Sequence, residues 1–181
     1  MVIADVKGDE DLFTVGDYVS YGLQGVCKVE KTERRRVGRE ELEYLVLRPL
    51  AVCGTAIYVP LKNEKLLADM RQVLTADAIE RILEVVADWE EDWEIDEECS
   101  RDFCSRSIRK ADPDDLSRLV GFLYARRHRV GKRPRIPAAD EHFFKEADRL
   151  LVGEFSHALN ISPDDVWTFV DKKIRKVEKT S

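Results

Sequence analysis

The sequence predicts an α+β chain: a small N-terminal β barrel of Tudor or SH3 type, followed by a C-terminal all-helical domain. Two observations lead there. From residue 13 to about 60, short β-prone runs alternate with turns that carry glycine. After Pro60, apolar residues recur at i, i+3, i+4 and i+7 behind residues that cap helices.

The β half opens with Tyr18-Val19-Ser20-Tyr21 and Val26-Cys27-Lys28-Val29, separated by Gly22 and Gly25. Leu42-Glu43-Tyr44-Leu45-Val46-Leu47 follows after a polar turn at Gly38, and Ala56-Ile57-Tyr58-Val59-Pro60 after Cys53-Gly54. Four or five short strands in this space suggest a small curled sheet or barrel.

In the second half, Thr75 can cap a helix bearing Ile79, Ile82, Leu83 and Val86 on one face. Asp112-Pro113 places an N-cap before proline at the first helical position, and Leu116, Leu119, Val120 and Leu123 continue it. Pro137 opens a longer helix with Phe143, Phe144, Ala147, Leu150, Leu151 and Phe155; Ser162-Pro163 opens a last one with Val166, Val170 and Ile174. Residues 96–109 read as helical with less regular spacing. The expected division is a flexible extension over 1–12, the β domain over 13–66 and the helical domain over 67–181, with the boundary near 61–74.

Hydrophobic residues make up 44% and charged residues 36% of the 181 residues, a globular composition. No apolar stretch is long enough to span a membrane, and MVIADVKGDEDLF is too acidic for a signal peptide. The cytoplasm is the expected compartment. The four cysteines form no CxxC pair. Cys99 and Cys104, with His128, His142 and His157 elsewhere, lack the second close ligand pair that a zinc site needs, so reduced thiols are expected. No phosphate-binding glycine loop, GxSxG elbow or HExxH is present, and the histidines are scattered. Binding, without catalysis, cofactor, metal or small-molecule substrate, is the expected class of function.

A net charge of −6 argues against coating nucleic acid by bulk charge. Basic residues nevertheless concentrate at Lys28–Arg39 and Arg126–Arg135, while Asp88–Glu98 holds eight acids and no base. Local patches of opposite sign suit a protein with two different partners.

The string Phe13-Thr14-Val15-Gly16-Asp17-Tyr18-Val19-Ser20-Tyr21-Gly22-Leu23-Gln24-Gly25-Val26 resembles the opening of the polymerase-interacting domain of the CarD/CdnL family. The resemblance continues through Glu43–Leu47, the strand ending in Val59-Pro60, the helix Leu74–Val86, and Ala147-Asp148-Arg149-Leu150-Leu151-Val152-Gly153-Glu154-Phe155. It implies a Tudor-like barrel that packs on the protrusion of the bacterial RNA polymerase β subunit, partly by strand pairing and partly through basic side chains. A related domain occurs in transcription-repair coupling factors. Arg35, flanked by Arg34 and Arg36, lies where the family places a basic contact; read without the family, the same arginines make a solvated hairpin. A second basic contact in the family falls where this chain has Tyr58.

The resemblance also implies a helical domain that wedges a tryptophan into the minor groove beside melted promoter DNA, with basic residues on the phosphates. Here Cys99 occupies the wedge position, and the nearest tryptophans, Trp93 and Trp89, lie inside the acidic run. Trp93 serves as a wedge only if the acids point away; otherwise both tryptophans pack on the helical core or cap its edge. Arg101, Arg106, Arg109 and Lys110 are candidate backbone contacts. The strongest basic patch holds Arg126, Arg127, Arg129, Lys132, Arg133 and Arg135, broken by Gly131 and Pro134. It reads either as a solvated loop or as one that docks on DNA phosphates without reading sequence.

The leading expectation is a non-enzymatic regulator that binds the RNA polymerase β subunit and touches upstream promoter DNA weakly and largely independently of sequence, modulating open-complex stability. The alternatives are a polymerase-binding relative without stable DNA contact and a Tudor-like protein-interaction adaptor.

Overall fold

A computed structural model of the chain describes residues 13–52, 54–88, 101–128 and 141–178. The chain divides into two compact units, one ending at Val73 and the other beginning at Leu74. The expected extension over 1–12 lies outside the described residues.

The first unit is an antiparallel sheet of β1 (Tyr18–Tyr21), β2 (Val26–Val37), β3 (Glu40–Pro49), β4 (Ile57–Pro60) and β5 (Met70–Gln72), with a single helical turn α1 (Glu64–Leu67) before β5. The strand order is β4-β3-β2-β1-β5. No pairing joins β4 to β5 among the described residues, so the sheet is open where a closed barrel was expected. β2 and β3 are also long, at 12 and 10 residues, where short strands were expected. They meet in a two-residue turn, because Val37 pairs with Glu40 across Gly38-Arg39. Gly38 takes φ 65° there, a conformation that costs glycine little and other residues more. β5 pairs with β1 through Val19–Gln72, Ser20–Arg71 and Tyr21–Met70, so the sheet continues past the expected end at residue 66.

One face of the sheet carries the core: Val19, Tyr21, Cys27, Val29, Leu45, Leu47, Val59 and Met70. The register of β2 against β3 shifts between Val29 and Lys31. Val29 lies opposite Leu47, with its side chain in the core, whereas Lys31 lies opposite Val46. Directly opposed residues share a face of an antiparallel sheet. The bulge therefore transfers the odd-numbered side chains of β2 from the core face to the outer one.

The second unit contains α2 (Ala76–Ala87), α3 (Arg101–Lys110), α4 (Pro113–His128), α5 (Glu141–Leu159) and α6 (Val166–Glu178), the last preceded by a 3₁₀ turn over Pro163–Asp165. The caps are those the sequence suggests. Thr75 accepts a hydrogen bond from the Ala78 N–H at 3.1 Å, and Asp112 accepts from Asp114 and Asp115 N–H at 3.1 Å each. Ser162 accepts from the Asp164 N–H at 3.4 Å. Pro137, expected to open the longest helix, lies outside the described residues.

Ile79, Ile82, Leu83 and Val86 of α2 pack with Leu119, Phe122, Phe144, Phe155, Val166, Val170 and Ile174 in one core. Phe122 and Phe155 are at most 1% exposed, and burying each contributes about 1.5–3 kcal/mol. Among the described residues, no helix is long and apolar enough to cross a membrane.

Candidate functional site

The outer face of the sheet holds a group of charged and aromatic side chains built on the β2 bulge. Lys31, Glu33 and Arg35 follow it at two-residue spacing and so share that face. Val46 of β3 faces them and is opposed in turn by Tyr58 of β4. Val46 is 1% exposed although it lies outside the main core, because the longer side chains around it cover it.

Arg35 is the focus of the group. Its guanidinium carbon lies 3.7 Å from the centroid of the Tyr58 ring, within cation–π range. Its Nε donates to Glu33 Oε1 at 2.7 Å, and Lys31 Nζ lies 2.8 Å from Glu33 Oε2. The Tyr44 ring meets Tyr58 edge to face at a centroid distance of 6.3 Å. Hydrogen bonds from Lys31 and Arg35 hold the Glu33 carboxyl below its ordinary pKa. Arg48 binds both carboxylate oxygens of Glu30 at 2.8 and 2.9 Å.

Arg34 and Arg36 alternate with Arg35 and lie on the other face of the ribbon, where Arg34 is 3.5 Å from Glu43. Arg36 is exposed and lies opposite Glu41. Of the residues expected to bind polymerase, the structure thus brings Arg35 and Tyr58 together and turns Arg34 and Arg36 away. Beside Tyr58, β4 has a strand partner on one side only among the described residues, so its outer edge is open. Glu33 and Tyr44, which complete the arrangement, were not singled out from sequence. Spacing alone could have found Glu33, two residues before Arg35 on a strand.

The candidate DNA contacts are dispersed over the helical unit. Arg101 heads α3, while Arg109 and Lys110 are exposed at its end. Arg106 Nε lies 3.2 Å from Asp115 Oδ2. Arg126 and Arg127 are the end of α4, not a loop, and both meet carboxylates of α5. Arg126 binds the two oxygens of Glu141 at 2.5 Å, and its guanidinium keeps that carboxyl below the ordinary range. Arg127 donates to Asp148 Oδ2 at 2.7 Å and lies 4.7 Å from the Trp167 ring, whose Nε1 donates to the other Asp148 oxygen at 3.0 Å. Trp89, Trp93, Cys99, Arg129, Lys132, Arg133 and Arg135 lie outside the described residues.

An open sheet edge beside a positioned guanidinium and two tyrosines is the equipment of a protein-binding domain. Residues 13–74 match the CarD-like/TRCF RID domain family, which identifies this part of the chain as an RNA polymerase-interacting domain. RNA polymerase is accordingly its partner, and transcription regulation the setting in which it acts.

Proposed function

We propose that the chain is a non-enzymatic bacterial transcription regulator whose sheet unit docks on the protrusion of the RNA polymerase β subunit and whose helical unit faces upstream promoter DNA. The observation that carries this reading is the Arg35–Tyr58 pair beside the open edge of β4, inside the segment that matches the polymerase-interacting domain. An unpaired strand edge offers main-chain N–H and C=O groups to a partner strand. The guanidinium beside it adds a charged contact that fixes the register.

The test is affinity capture of the isolated β protrusion by the full chain, repeated with Arg35→Glu. A charge reversal at a central contact should cost about 1–3 kcal/mol of binding. Unchanged capture by the variant would make the arginine hairpin solvated surface.

A second reading, polymerase binding without stable DNA contact, is favoured by the carboxylate partners of Arg106, Arg126 and Arg127. A guanidinium already paired must give up that partner before it neutralises a phosphate. Mobility shift of promoter DNA by the chain alone, and again with polymerase, separates the two readings.

A further inference from the structure

We infer that Glu33 and Tyr58 are positioning residues that fix the Arg35 guanidinium for a carboxylate on RNA polymerase; this rests on the docking reading above. Three features of the structure lead there. Arginine has a long side chain whose rotamer freedom is lost on binding, so holding it beforehand raises affinity. Here the guanidinium is held from two sides: the Tyr58 ring packs at 3.7 Å, and Glu33 takes Nε at 2.7 Å. The ring is itself fixed, since Tyr44 packs edge-on against it and the Lys31–Glu33 contact anchors the carboxylate.

Charge and exposure point to the ligand. Lys31 and Arg35 set two cations against the single carboxylate of Glu33, so the triad retains a positive charge. Arg35 stays 44% exposed; its Nε is committed to Glu33 and the Tyr58 hydroxyl is a further partner, so the guanidinium meets an acidic side chain through its remaining N–H donors. A lysine at this position would keep the charge but lose both the planar stack and the Nε bond. The β2 bulge is a precondition, because it puts Arg35 on the same face as Tyr58.

The experiment is a double-mutant cycle on the full chain, with calorimetric titration into core RNA polymerase. Glu33→Gln and Tyr58→Leu should each weaken binding about three- to tenfold, whereas Tyr58→Phe, which keeps the ring and loses only the hydroxyl's contact with Arg35, should weaken it less than Tyr58→Leu. Arg35→Lys should lose nearly as much as Arg35→Ala. In the Arg35→Ala background, Glu33→Gln and Tyr58→Leu should cost nothing further, since both act through Arg35. Thermal unfolding checks each variant. Should Tyr58→Leu fail to fold once Val46 is uncovered, Glu33→Gln at its strand-surface position carries the cycle alone. If Arg35→Ala weakens binding but the other losses persist undiminished beside it, or never occur, the positioning role is overturned and the docking reading stands. If Arg35→Ala has no effect, the positioning role is overturned and docking runs through other residues; if the wild-type chain fails to bind core polymerase, both readings are overturned.

Discussion

A side-chain carboxyl oxygen of Glu154, on α5, accepts a hydrogen bond from the main-chain N–H of Leu74, 2.9 Å away and one residue before the Thr75 cap of α2. Glu154 is 4% exposed, so it spends most of its surface inside the helical core. The bond joins the start of one helix to the middle of another and gives a partner to an N–H outside the helix ladder. Glu154→Ala should therefore lower the stability of the helical unit by about 1–3 kcal/mol, while Glu154→Gln, which keeps the acceptor, should cost less. Urea unfolding followed by tryptophan fluorescence reports this unit, because Trp89, Trp93 and Trp167 all lie beyond residue 74. An alanine variant within about 0.5 kcal/mol of the wild type would show that water replaces the bond.

The helical unit was legible because each helix carries its own local signals. Thr75, Asp112-Pro113 and Ser162-Pro163 mark starts that the structure uses, and the 3.6-residue period picked out side chains such as Ile79, Leu119 and Phe155 that are buried. The sheet was less legible where tertiary pairing decides. Met70-Arg71-Gln72 is too short to alternate, and only its pairing with β1 makes it a strand. The β2 bulge has no sequence signature here, so Arg35 and Tyr58 could each be picked out but not their contact. Arg126 and Arg127 read as loop because Gly131 and Pro134 break the basic run they begin, whereas they end α4 and meet Glu141 and Asp148 of another helix.

The position of β5 sets where the chain can be cut. A fragment of residues 13–73 should fold alone, whereas one ending at residue 66 should be largely unfolded. The shorter piece loses Met70, 7% exposed in the core, and strips β1 of its ladder to β5. Losing the Met70 burial alone costs about 1.5–3 kcal/mol, a large share of the stability of so small a domain. Circular dichroism of the two fragments decides it; equal cooperative melting would make β5 dispensable.

The two arginines that end α4 and the bases that follow them in the sequence should respond differently to neutralisation. Replacing Arg126 and Arg127 with glutamine removes ion pairs to Glu141 and Asp148, so the main effect should be on unfolding of the helical unit. Replacing Arg129, Lys132 and Arg133 should instead reduce DNA affinity and its salt dependence, each lost phosphate contact lowering the slope by about 0.9. Fluorescence anisotropy with duplex DNA across salt concentrations measures both sets. A slope that falls for Arg126 and Arg127 but not for the other three would reverse this assignment.

Cys27 gives the sheet unit a pH dependence with a definite sign. The thiol is fully buried beside Val19, its partner across β1 and β2, and burial pushes its pKa up to about 11. The unfolded chain releases the same proton near pH ~8.5. Between those values the folded state binds more protons, so stability is complete below about pH 8.5 and declines as pH rises toward the folded value. Tyr21, in the same core, is raised first by its own burial and then by Asp69 and Cys27, and contributes with the same sign. Cys27→Val, close to isosteric and without a titratable group, should flatten the decline by about 2.5 kcal/mol between pH 8.5 and 11. Guanidinium unfolding of the 13–73 fragment across that range, followed by circular dichroism, makes the comparison. Parallel declines in the two proteins would show that the Cys27 proton is not held by the fold.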